Sequence, residues 1–516
     1  MSANQTKPAK KKGILNFIER VGNALPHPAT IFVILCAIII VVSHIMAKMG
    51  VSVTYEGLNR ATNQIEQTTV VVKSLLSREG IIGMLEGALV NFTSFAPLGT
   101  VLVAMLGVGV AEGTGLIGTS LKKLVLSTPK TLITVVVVLA GVISNIASDA
   151  GYVVLIPLGA MVFLSMGRHP IAGLAAAFAG VSGGFSANIM VGPTDALLAG
   201  ISKEAAKIGS ATATVEVADN WFFLIISTFL IAVVGTLVTE KIVEPRLGEY
   251  KGKSKIDKNI DLTAVEKRGL KFAGIAGILV VIVLGLLTIP KNAILRNVET
   301  GSLIENAPFM NSIVIIIAIV FFILGIAYGI GIGSIKNDKD VVKEMSKTMS
   351  TMGGYLVLVF FASQFVAYFA QSNVGTVIAV KGAEFLKATN IGGVPLILGF
   401  IIVTAIINLF MGSASAKWAI MAPIFIPMLM ELGFAPEFTQ MAYRIGDSST
   451  NIISPLMTYF ALIVSFAEKY DEEAGIGTMV STMVPYSISF LLSWSVLLII
   501  WMLFKLPLGP GATIFM

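Results

Sequence analysis

The chain has 516 residues, of which 55% are hydrophobic and 13% are charged, and its mean hydropathy is +0.87. Soluble globular chains carry about 25% charged residues, so this composition excludes an ordinary soluble protein, and the apolar content excludes a disordered one. The single cysteine, Cys36, excludes an intramolecular disulfide, a cysteine-based zinc site and an iron–sulfur cluster. We therefore predict an all-α polytopic membrane protein that is surrounded by membrane lipid.

The N-terminal segment is polar and basic, with a run of lysines that ends at Lys12. The apolar stretch that follows, at about 31–46, leads into Ser-His-Ile-Met and not into a small-residue cleavage site, so it predicts a transmembrane helix instead of a signal peptide. Basic residues accumulate on the cytoplasmic side of membrane proteins, which places residues 1–27 in the cytoplasm. The net charge of +6 has the same explanation, and no nucleic-acid partner is expected.

Further apolar stretches alternate with polar loops along the chain. A span needs about 20 mostly apolar residues, and full spans are predicted near 28–49, 84–118, 171–200, 219–240, 269–290, 309–333, 351–371, 438–466 and 478–505. The loop at 241–268 is the richest in lysine and arginine and is predicted to be cytoplasmic. It divides the chain into a first membrane half, 28–240, and a second, 269–516.

Two more apolar regions, 130–166 and 394–430, do not fit this alternation as ordinary spans. Each is interrupted by small polar residues, with Asn145 in the first and Asn408 in the second. Irregular backbone at membrane depth is tolerated where protein or a water-filled cavity covers it. We therefore predict that both regions are re-entrant helical hairpins, which enter the membrane from opposite faces.

The two halves also repeat each other. Asn145 and Asn408 are 263 residues apart, and so are Ser-Ala-Asn at 186–188 and Ser-Thr-Asn at 449–451. Hairpins that open to opposite faces would make these inverted-topology repeats, an arrangement found in many secondary transporters whose broken helices meet near the midplane. The alternative is that small residues recur because the helices pack closely.

Ionisable residues inside the apolar segments are the first functional candidates, because a charge at the centre of a membrane costs about 3 kcal/mol or more. These residues are Glu112, Asp149, Asp195, Lys417, Arg444 and Asp447. Most of them lie in four polar segments, two in each half, which begin near Ser144, Ser182, Asn408 and Tyr443.

Glycines and Pro193 interrupt the polar segment at 182–195 and free backbone carbonyl groups. Carbonyl, amide and carboxylate oxygens are the ligands of a hard cation, so these segments predict a sodium site. We assign cation coupling to Asn145, Asn188, Asn408, Asp447 and Asn451. The alternative is a set of kinked helices whose polar groups are satisfied internally.

In the second half, Arg444 and Asp447 are spaced i, i+3 and share a helix face. One interpretation is a structural ion pair between them. In the other interpretation, Asp447 binds a cation and Arg444 binds a substrate carboxylate, because the planar guanidinium group can hold a carboxylate through two hydrogen bonds. Trp418 offers a flat face for stacking an aromatic ring, or else fills the core. The role of its neighbour Lys417 stays open.

Three long segments, SGGFSANIMVGPTDALLAG, GSASAKWAIMAPIFIPM and AYRIGDSSTNIISPLMTYF, resemble the p-aminobenzoyl-glutamate transporter (AbgT) family, within the wider ion transporter superfamily. The resemblance runs over nearly the whole chain. It implies a homodimer with about nine transmembrane helices and two re-entrant hairpins per protomer, and an aqueous basin open to the cytoplasm. It also implies uptake of p-aminobenzoyl-glutamate or export of sulfonamide antimetabolites, coupled to sodium or protons.

The resemblance carries the family's important positions onto Asp195, Ser415, Trp418, Arg444, Asp447 and Pro455. All of these except Asp447 are expected to bind the substrate. The sodium ligands of the family fall on Asn408 and Asp447. No cofactor is expected apart from Na⁺ as the bound coupling ion, with H⁺ as the alternative.

The sequence therefore predicts a cation-coupled secondary transporter of p-aminobenzoyl-glutamate, or an exporter of sulfonamide-type antimetabolites. We expect it to work by alternating access in the bacterial cytoplasmic (inner) membrane. A sodium-coupled dicarboxylate carrier is the alternative within the same class, and a passive channel is the alternative in another class. An enzyme is not expected, because neither H-E-x-x-H nor G-x-x-x-x-G-K-[ST] occurs and no nucleophile–base pair is recognisable.

Overall fold

The computed structural model describes residues 26, 28–59, 64–147, 151–210, 212–250, 252, 261–303, 307–388 and 392–516, without the side chains of 55–59, 64–66, 68 and 147. Most of the basic segment 1–27, Asp149 and most lysines of the central loop lie outside these residues. The predictions made for those parts of the chain therefore stay predictions.

Helices dominate both halves of the chain. The first half contains α1 (Pro28–Lys48), α2 (Arg78–Thr93), α3 (Ala96–Gly113), α4 (Leu116–Leu126), α5 (Ile133–Ser144), α6 (Ile156–Ser165), α7 (Pro170–Phe178), α8 (Pro193–Gly209), α9 (Trp221–Val238) and α10 (Glu244–Leu247). The second half contains α11 (Ala264–Thr288), α12 (Pro308–Asn311), α13 (Ile313–Ile332), α14 (Asp338–Thr351), α15 (Gly353–Gln371), α16 (Val374–Ala388), α17 (Gly393–Asn408), α18 (Ala414–Met430), α19 (Pro436–Asn451), α20 (Phe460–Glu468) and α21 (Ile476–Phe504).

Seven helical segments among the described residues are long and apolar enough to cross a membrane. They are α1, α2 with α3, α9 with its extension to Leu247, α11, α13, α15 and α21. An eighth candidate joins α4 to α5 through a bend of 115°. The helix with the most exposed apolar surface is α11, where only Gly269 and Ala273 are buried. These helices confirm the prediction of a polytopic helical membrane protein, and they coincide with seven of the predicted spans.

One element falls outside the helical prediction. The polar segment after α1 forms an antiparallel hairpin of β1 (Ser52–Asn59) and β2 (Gln64–Val71), with Ser52 opposite Val71. Threonine and valine occur in both strands, and β-branched residues favour a pleated surface. Hydropathy does not reveal this tendency, because the segment is highly polar.

The predicted spans at 171–200 and 438–466 are not continuous helices, which corrects the prediction of full spans there. After α7 the chain makes one π-helical turn at Ala179–Gly183, and α8 begins only at Pro193. In the same way α19 ends at Asn451 and α20 begins only at Phe460. Glycines and Pro193 explain the first break and Pro455 the second, because glycine weakens a helix and proline removes a backbone donor and clashes with the preceding turn.

The regions 130–166 and 394–430 both consist of two helices with a break between them. The first break separates α5 from α6, and the second separates α17 from α18. In the first half α6 packs against α7, and in the second half both α17 and α18 pack against α19. The breaks therefore occur where Asn145 and Asn408 predict them, and each helix pair packs on the broken helix of its own half. Re-entry from opposite membrane faces stays a prediction.

Matched contacts of the two asparagines support an internal repeat. Asn145 Nδ2 donates a hydrogen bond to the carbonyl oxygen of Gly184 at 3.4 Å, and Asn408 Nδ2 donates one to the carbonyl oxygen of Asp447 at 2.7 Å. In both halves the acceptor follows its asparagine by 39 residues. A chance recurrence of small residues would not produce the same long-range contact twice.

The aromatic residue after each break makes a second matched contact, this time with the other half of the chain. Tyr152 stacks on Tyr459, with ring centroids 4.5 Å apart, just before α20. Trp418 Nε1 donates a hydrogen bond to Ser202 Oγ in α8 at 2.9 Å. Tyr152 thus contacts the residue that precedes α20 of the second half, and Trp418 contacts α8 of the first half.

The close packing of α19 against α17 depends on Gly446. A Cβ atom at this position would lie 2.5 Å from the carbonyl oxygen of Ile401 and 2.8 Å from Cβ of Thr404. We expect Gly446→Ala to lower the free energy of unfolding by about 1–3 kcal/mol, because overpacking forces the helices apart. Thermal unfolding in detergent measures this loss. Gly399→Ala in α17 is the control, since its Cβ meets nothing within 4 Å, and equal losses in both variants would contradict the assignment.

Candidate functional site

Four charged side chains meet in the interior as two ion pairs. Lys417 Nζ lies 2.5 Å from Asp447 Oδ1, and Arg444 Nη2 lies 2.7 Å from Asp195 Oδ1. None of the four side chains is more than 3% exposed. Taking a charge out of water is costly, and a buried charge persists only with a partner. The ionisable residues of three predicted polar segments therefore form one buried cluster.

This pairing differs from the structural ion pair between Arg444 and Asp447, which is one of the two interpretations of their spacing. Both residues lie in α19, but Arg444 pairs with Asp195 of α8, and Asp447 pairs with Lys417 of α18. Arg444 Nε is also buried without a hydrogen-bond partner among the described residues. The spacing i, i+3 brings the two side chains near each other, but neighbouring helices offer each a closer opposite charge.

The position of Asp195 follows from the local sequence Gly-Pro-Thr-Asp. Pro193 is the first residue of α8, and Asp195 Oδ2 accepts a hydrogen bond from the backbone N–H of Gly192 at 2.7 Å. Proline is favoured at the first helical position, and a carboxylate in the first turn is stabilised by the helix dipole. The helix start thus holds one carboxylate oxygen and directs the other towards Arg444.

Three oxygen atoms converge on the ammonium group of Lys417. Its Nζ lies 2.5 Å from Asp447 Oδ1 and 3.4 Å from the carbonyl oxygen of Met411, and it makes a shorter contact with Asn408 Oδ1. Carboxylate, amide and carbonyl oxygens are also the donors that a hard cation such as Na⁺ takes. The residues present therefore fit the predicted sodium site, and in this conformation a lysine holds their oxygen atoms.

The amide of Asn408 is oriented by its other contacts. Its Nδ2 lies 2.7 Å from the carbonyl oxygen of Asp447, 2.9 Å from Thr450 Oγ1 and 2.9 Å from Asn451 Oδ1. Because the amide nitrogen is committed to these acceptors, Oδ1 is turned towards Lys417. Asn451, a predicted coupling residue, thus acts here on the amide of Asn408.

Trp418 is fully buried and does not present an open face. Its ring stacks on Tyr443 with centroids 4.4 Å apart, and its Nε1 donates a hydrogen bond to Ser202 Oγ. Tyr443 in turn donates a hydrogen bond to the carbonyl oxygen of Ala414 at 2.5 Å. An aromatic ligand can reach the face of Trp418 only if Tyr443 moves away.

The other predicted site residues occupy different places. Ser415 is half-buried in the first turn of α18, and Pro455 is half-buried between α19 and α20. Asn188 Oδ1 accepts a hydrogen bond from the next backbone N–H at 2.9 Å, and the Nδ2 of Asn145 contacts only carbonyl oxygens of the first half. These contacts do not join the four charges, so the roles assigned to these residues stay predictions.

Sequence reasoning missed Tyr443 and Ser202. Tyr443 precedes Arg444 and is spaced i, i+4 from Asp447, and its hydroxyl group lies 3.5 Å from Asp447 Oδ1. That spacing on one helix face was a signal that could have found it. Ser202 had no such signal, because only the packing of α18 against α8 brings it to Trp418.

Among the described residues, no group of three or more His, Cys, Asp or Glu side chains is arranged to hold a metal ion. A cation at Asp447 would therefore have one carboxylate and otherwise neutral oxygen ligands. Such a weakly charged donor set suits a monovalent ion better than a divalent one.

A cavity of about 660 Å³ lies away from the four charges, beside the loop between α8 and α9. Asp219 and Glu216 of this loop line it together with Glu437, the second residue of α19. The pKa of Asp219 is raised to about 7, mainly by burial and in smaller part by the carboxylates of Glu437 and Glu216. A hydrogen bond from the backbone N–H of Glu216 and the charge of Lys203 act in the opposite direction.

The raised pKa of Asp219 predicts a stability that falls as the pH rises. The folded chain keeps this proton up to about pH 7, whereas the ordinary carboxyl pKa of 3.8 applies to the unfolded chain. The folded state therefore binds more protons in that range, and its free energy of unfolding decreases with increasing pH. We expect Asp219→Asn to lessen the fall in melting temperature across that range, measured in detergent. Glu473→Gln, at an exposed carboxylate, is the control, and an undiminished fall in Asp219→Asn would refute the assignment.

Comparisons with known proteins agree over the whole length of the chain. The model of the AbgT putative transporter family matches residues 13–516. The p-aminobenzoyl-glutamate transport protein of Escherichia coli (strain K12) is 39% identical over 512 residues, which are 99% of this chain and 99% of that protein.

Two solved structures have the same fold. The YdaH transporter of Alcanivorax borkumensis, described as having an unusual topology, is 47% identical with a TM-score of 0.88, covering 94% of this chain and 100% of its own. MtrF of Neisseria gonorrhoeae, described as illuminating a class of antimetabolite efflux pumps, is 49% identical with a TM-score of 0.90, covering 97% and 100%. These matches confirm the resemblance found in the sequence motifs. The chain belongs to the AbgT family of transporters.

Proposed function

We propose that the chain is a cation-coupled secondary transporter of p-aminobenzoyl-glutamate, or of antimetabolites such as sulfonamides that share its aromatic part. Two relatives support this substrate class, since one is named for p-aminobenzoyl-glutamate transport and the other is grouped with antimetabolite efflux pumps. p-Aminobenzoyl-glutamate carries an aromatic ring and two carboxylates, so it needs an aromatic contact and a cationic one.

The ion pair of Arg444 with Asp195 is the observation that carries this proposal. Arg444 is only 2% exposed and is paired with a carboxylate of its own chain. A substrate carboxylate offers the guanidinium the same kind of acceptor, with bidentate geometry available. It can therefore take the place of Asp195 without leaving Arg444 unpaired, and Asp195 keeps its contact with the start of α8.

The stacked rings of Trp418 and Tyr443 lie beside these charges, because Tyr443 and Arg444 are consecutive in α19. Exchange of one aromatic partner for another costs little stacking energy. We infer that the aminobenzoyl ring of a bound substrate takes the place of Tyr443 against Trp418. Ser415 and Pro455, at the adjoining helix ends, would complete the substrate contacts.

The burial of the four-charge cluster supports alternating access as the transport mechanism. The four charged side chains are at most 3% exposed, so a substrate needs a rearrangement of the hairpins and broken helices to reach them. A passive channel is disfavoured by the same observation, since conduction needs a continuous polar path. Coupling is assigned to a cation, Na⁺ or H⁺, at Asn408 and Asp447, with Asn145, Asn188 and Asn451 in supporting roles.

The same proposal includes the setting of the protein. Lysine and arginine in the segment 1–27 and in the loop 241–268 favour a cytoplasmic location for both. We place the transporter in the bacterial inner membrane as a homodimer. Crosslinking in native membranes tests the dimer, and accessibility of a reporter fused to the N-terminus tests the orientation.

Counterflow in proteoliposomes tests the function. Labelled p-aminobenzoyl-glutamate and a labelled sulfonamide are measured separately, each with and without imposed Na⁺ and pH gradients. We expect saturable counterflow of at least one compound and a response to one of the gradients. Absence of counterflow for both compounds would refute the substrate class, and flux that ignores both gradients would refute the coupling. Competition by succinate as strong as by the aromatic compound would favour a dicarboxylate carrier.

A further inference from the structure

We propose that Lys417 is a tethered cation, which holds the coupling-ion site in this conformation and must leave it when the free cation binds. This inference rests on the proposed cation site at Asn408 and Asp447. It gives a role to Lys417, an intramembrane charge to which the proposed substrate binding and cation coupling assign none.

The contacts of Lys417 are those expected of a cation in its site. Its ammonium group touches the oxygen atoms of Asp447, Asn408 and Met411, and its side chain is completely buried. The same three oxygen atoms form the donor set that fits Na⁺. A sodium ion at this place would stand within contact distance of the ammonium group, and two positive charges so close in a poorly screened interior repel strongly. The site therefore takes one cation or the other.

Asp447 retains capacity for a second ligand. Its Oδ1 is taken by Lys417, but its Oδ2 is buried and has no hydrogen-bond partner among the described residues. A carboxylate that served only a structural ion pair would be expected to have both oxygen atoms satisfied, because an unpaired buried acceptor is costly. The free oxygen is the point at which an entering cation can begin to bind.

The first repeat shows that the fold does not need the ion pair. Gly184 matches Asp447 through the paired asparagine contacts, and Gly151 precedes Tyr152 as Lys417 precedes Trp418. A Cβ at Gly151 would lie 2.9 Å from Cβ of Ser144, and a Cβ at Gly184 would lie 2.6 Å from Cγ2 of Val142. The first half thus packs its hairpin on its broken helix without room for either charged side chain.

The long side chain of lysine suits displacement. Its compact ammonium group sits on a flexible stem of four carbon atoms, whereas arginine is a planar fork that fixes its partners. Leaving the site removes one positive charge from Asp447 as the free cation adds one. The exchange keeps Asp447 neutralised throughout, which avoids the cost of an unpaired buried carboxylate.

Thermal unfolding of the full-length protein in detergent, without substrate, measures this competition. NaCl is titrated against choline chloride at constant ionic strength, and the melting temperature reports Na⁺ binding to the folded state. We expect Lys417→Met to melt below the wild type in choline and to be restored by Na⁺. Half-maximal restoration should need at least about tenfold less Na⁺ than any response of the wild type, because the competing charge is gone.

Two further variants test the competing positive charge and the carboxylate separately. Lys417→Arg retains the competing charge, so its response to Na⁺ should need no less Na⁺ than the wild type. Asp447→Asn combined with Lys417→Met lacks the carboxylate and should show no Na⁺ response. If Lys417→Met is too unstable to purify in choline, purification in Na⁺ followed by unfolding on dilution into choline supports the proposal.

A loss of stability in Lys417→Met that Na⁺ does not restore would overturn the proposal and would assign the lysine to a structural ion pair. If the wild type responds to Na⁺ while Lys417→Met does not, the cation site survives and only the tethered cation is refuted. If none of the variants responds, this inference fails, while counterflow still decides the proposed transport function. Equilibrium binding of ²²Na⁺ to the same variants checks the melting data independently of stability.

Discussion

Arg444→Gln and Asp195→Asn are each expected to lower the free energy of unfolding by about 3–5 kcal/mol, because either change leaves one buried charge without its partner. The double variant should recover most of this loss, since no unpaired charge remains. On transport the two single variants should differ. Arg444→Gln should lower the affinity for p-aminobenzoyl-glutamate by about 100-fold or more, whereas Asp195→Asn should bind this compound at least as tightly as the wild type. The reason is that Asp195 competes with the substrate carboxylate for Arg444.

Melting curves and competition binding in detergent measure both parts of this prediction. A neutral sulfonamide is the matched ligand control, because it lacks the glutamate carboxylates and should lose much less affinity in Arg444→Gln. Equal losses for the anionic and the neutral compound in both single variants would show that the pair of Arg444 with Asp195 is only structural. The proposed substrate contact would then have to lie elsewhere.

Asp447→Asn should remove the response of transport to Na⁺ or H⁺ gradients. The variant keeps the shape of the side chain and loses the charge, and it leaves Lys417 with only neutral oxygen contacts from Asn408 and Met411. We expect counterflow to persist at a reduced rate while gradient-driven accumulation in proteoliposomes disappears, because an amide at this position offers a cation no negative charge. Stability should fall as well, by about 3–5 kcal/mol, since the lysine is buried without its carboxylate.

Glu437→Gln is the matched control for Asp447→Asn. It changes another buried carboxylate of α19, one that accepts a hydrogen bond from the backbone N–H of Thr513 at 3.4 Å and has no contact with the four-charge cluster. Its response to the gradients should equal that of the wild type. A full gradient response in Asp447→Asn would show that this residue is not part of the coupling site. The coupling cation would then be expected to bind in the first repeat.

Local sequence predicted the helix breaks and the residues at them. Gly192 and Pro193 interrupt the chain before Asp195, and the same residue types that break a helix also cap the next one. The breaks near Asn145 and Asn408 could be predicted for the same reason, because small polar residues interrupt long apolar stretches. These features depend on a few consecutive residues, and no information from distant parts of the chain is needed.

The partners of the charged residues could not be predicted in this way. The spacing of Arg444 and Asp447 indicated a pair within α19, but the structure gives each a partner on a different helix. Likewise, the sequence marked Trp418 as an aromatic surface, whereas Tyr443 covers it. Spacing along a helix predicts which side chains of that helix share a face. It does not predict which side chains of other helices lie closer to them.

By itself, the sequence determined that this is a polytopic membrane transporter of the AbgT family, with most of its intramembrane charges in four polar segments. Such features can be predicted from the sequence because hydropathy is averaged over consecutive residues and a motif consists of consecutive residues. Only the tertiary structure decided that those charges form two crossed ion pairs and that Lys417 holds the oxygen atoms of the predicted cation site. The physical reason is that the cost of burying a charge is offset by the opposite charge nearest to it in space. The packing of α8, α18 and α19 determines which residue that is.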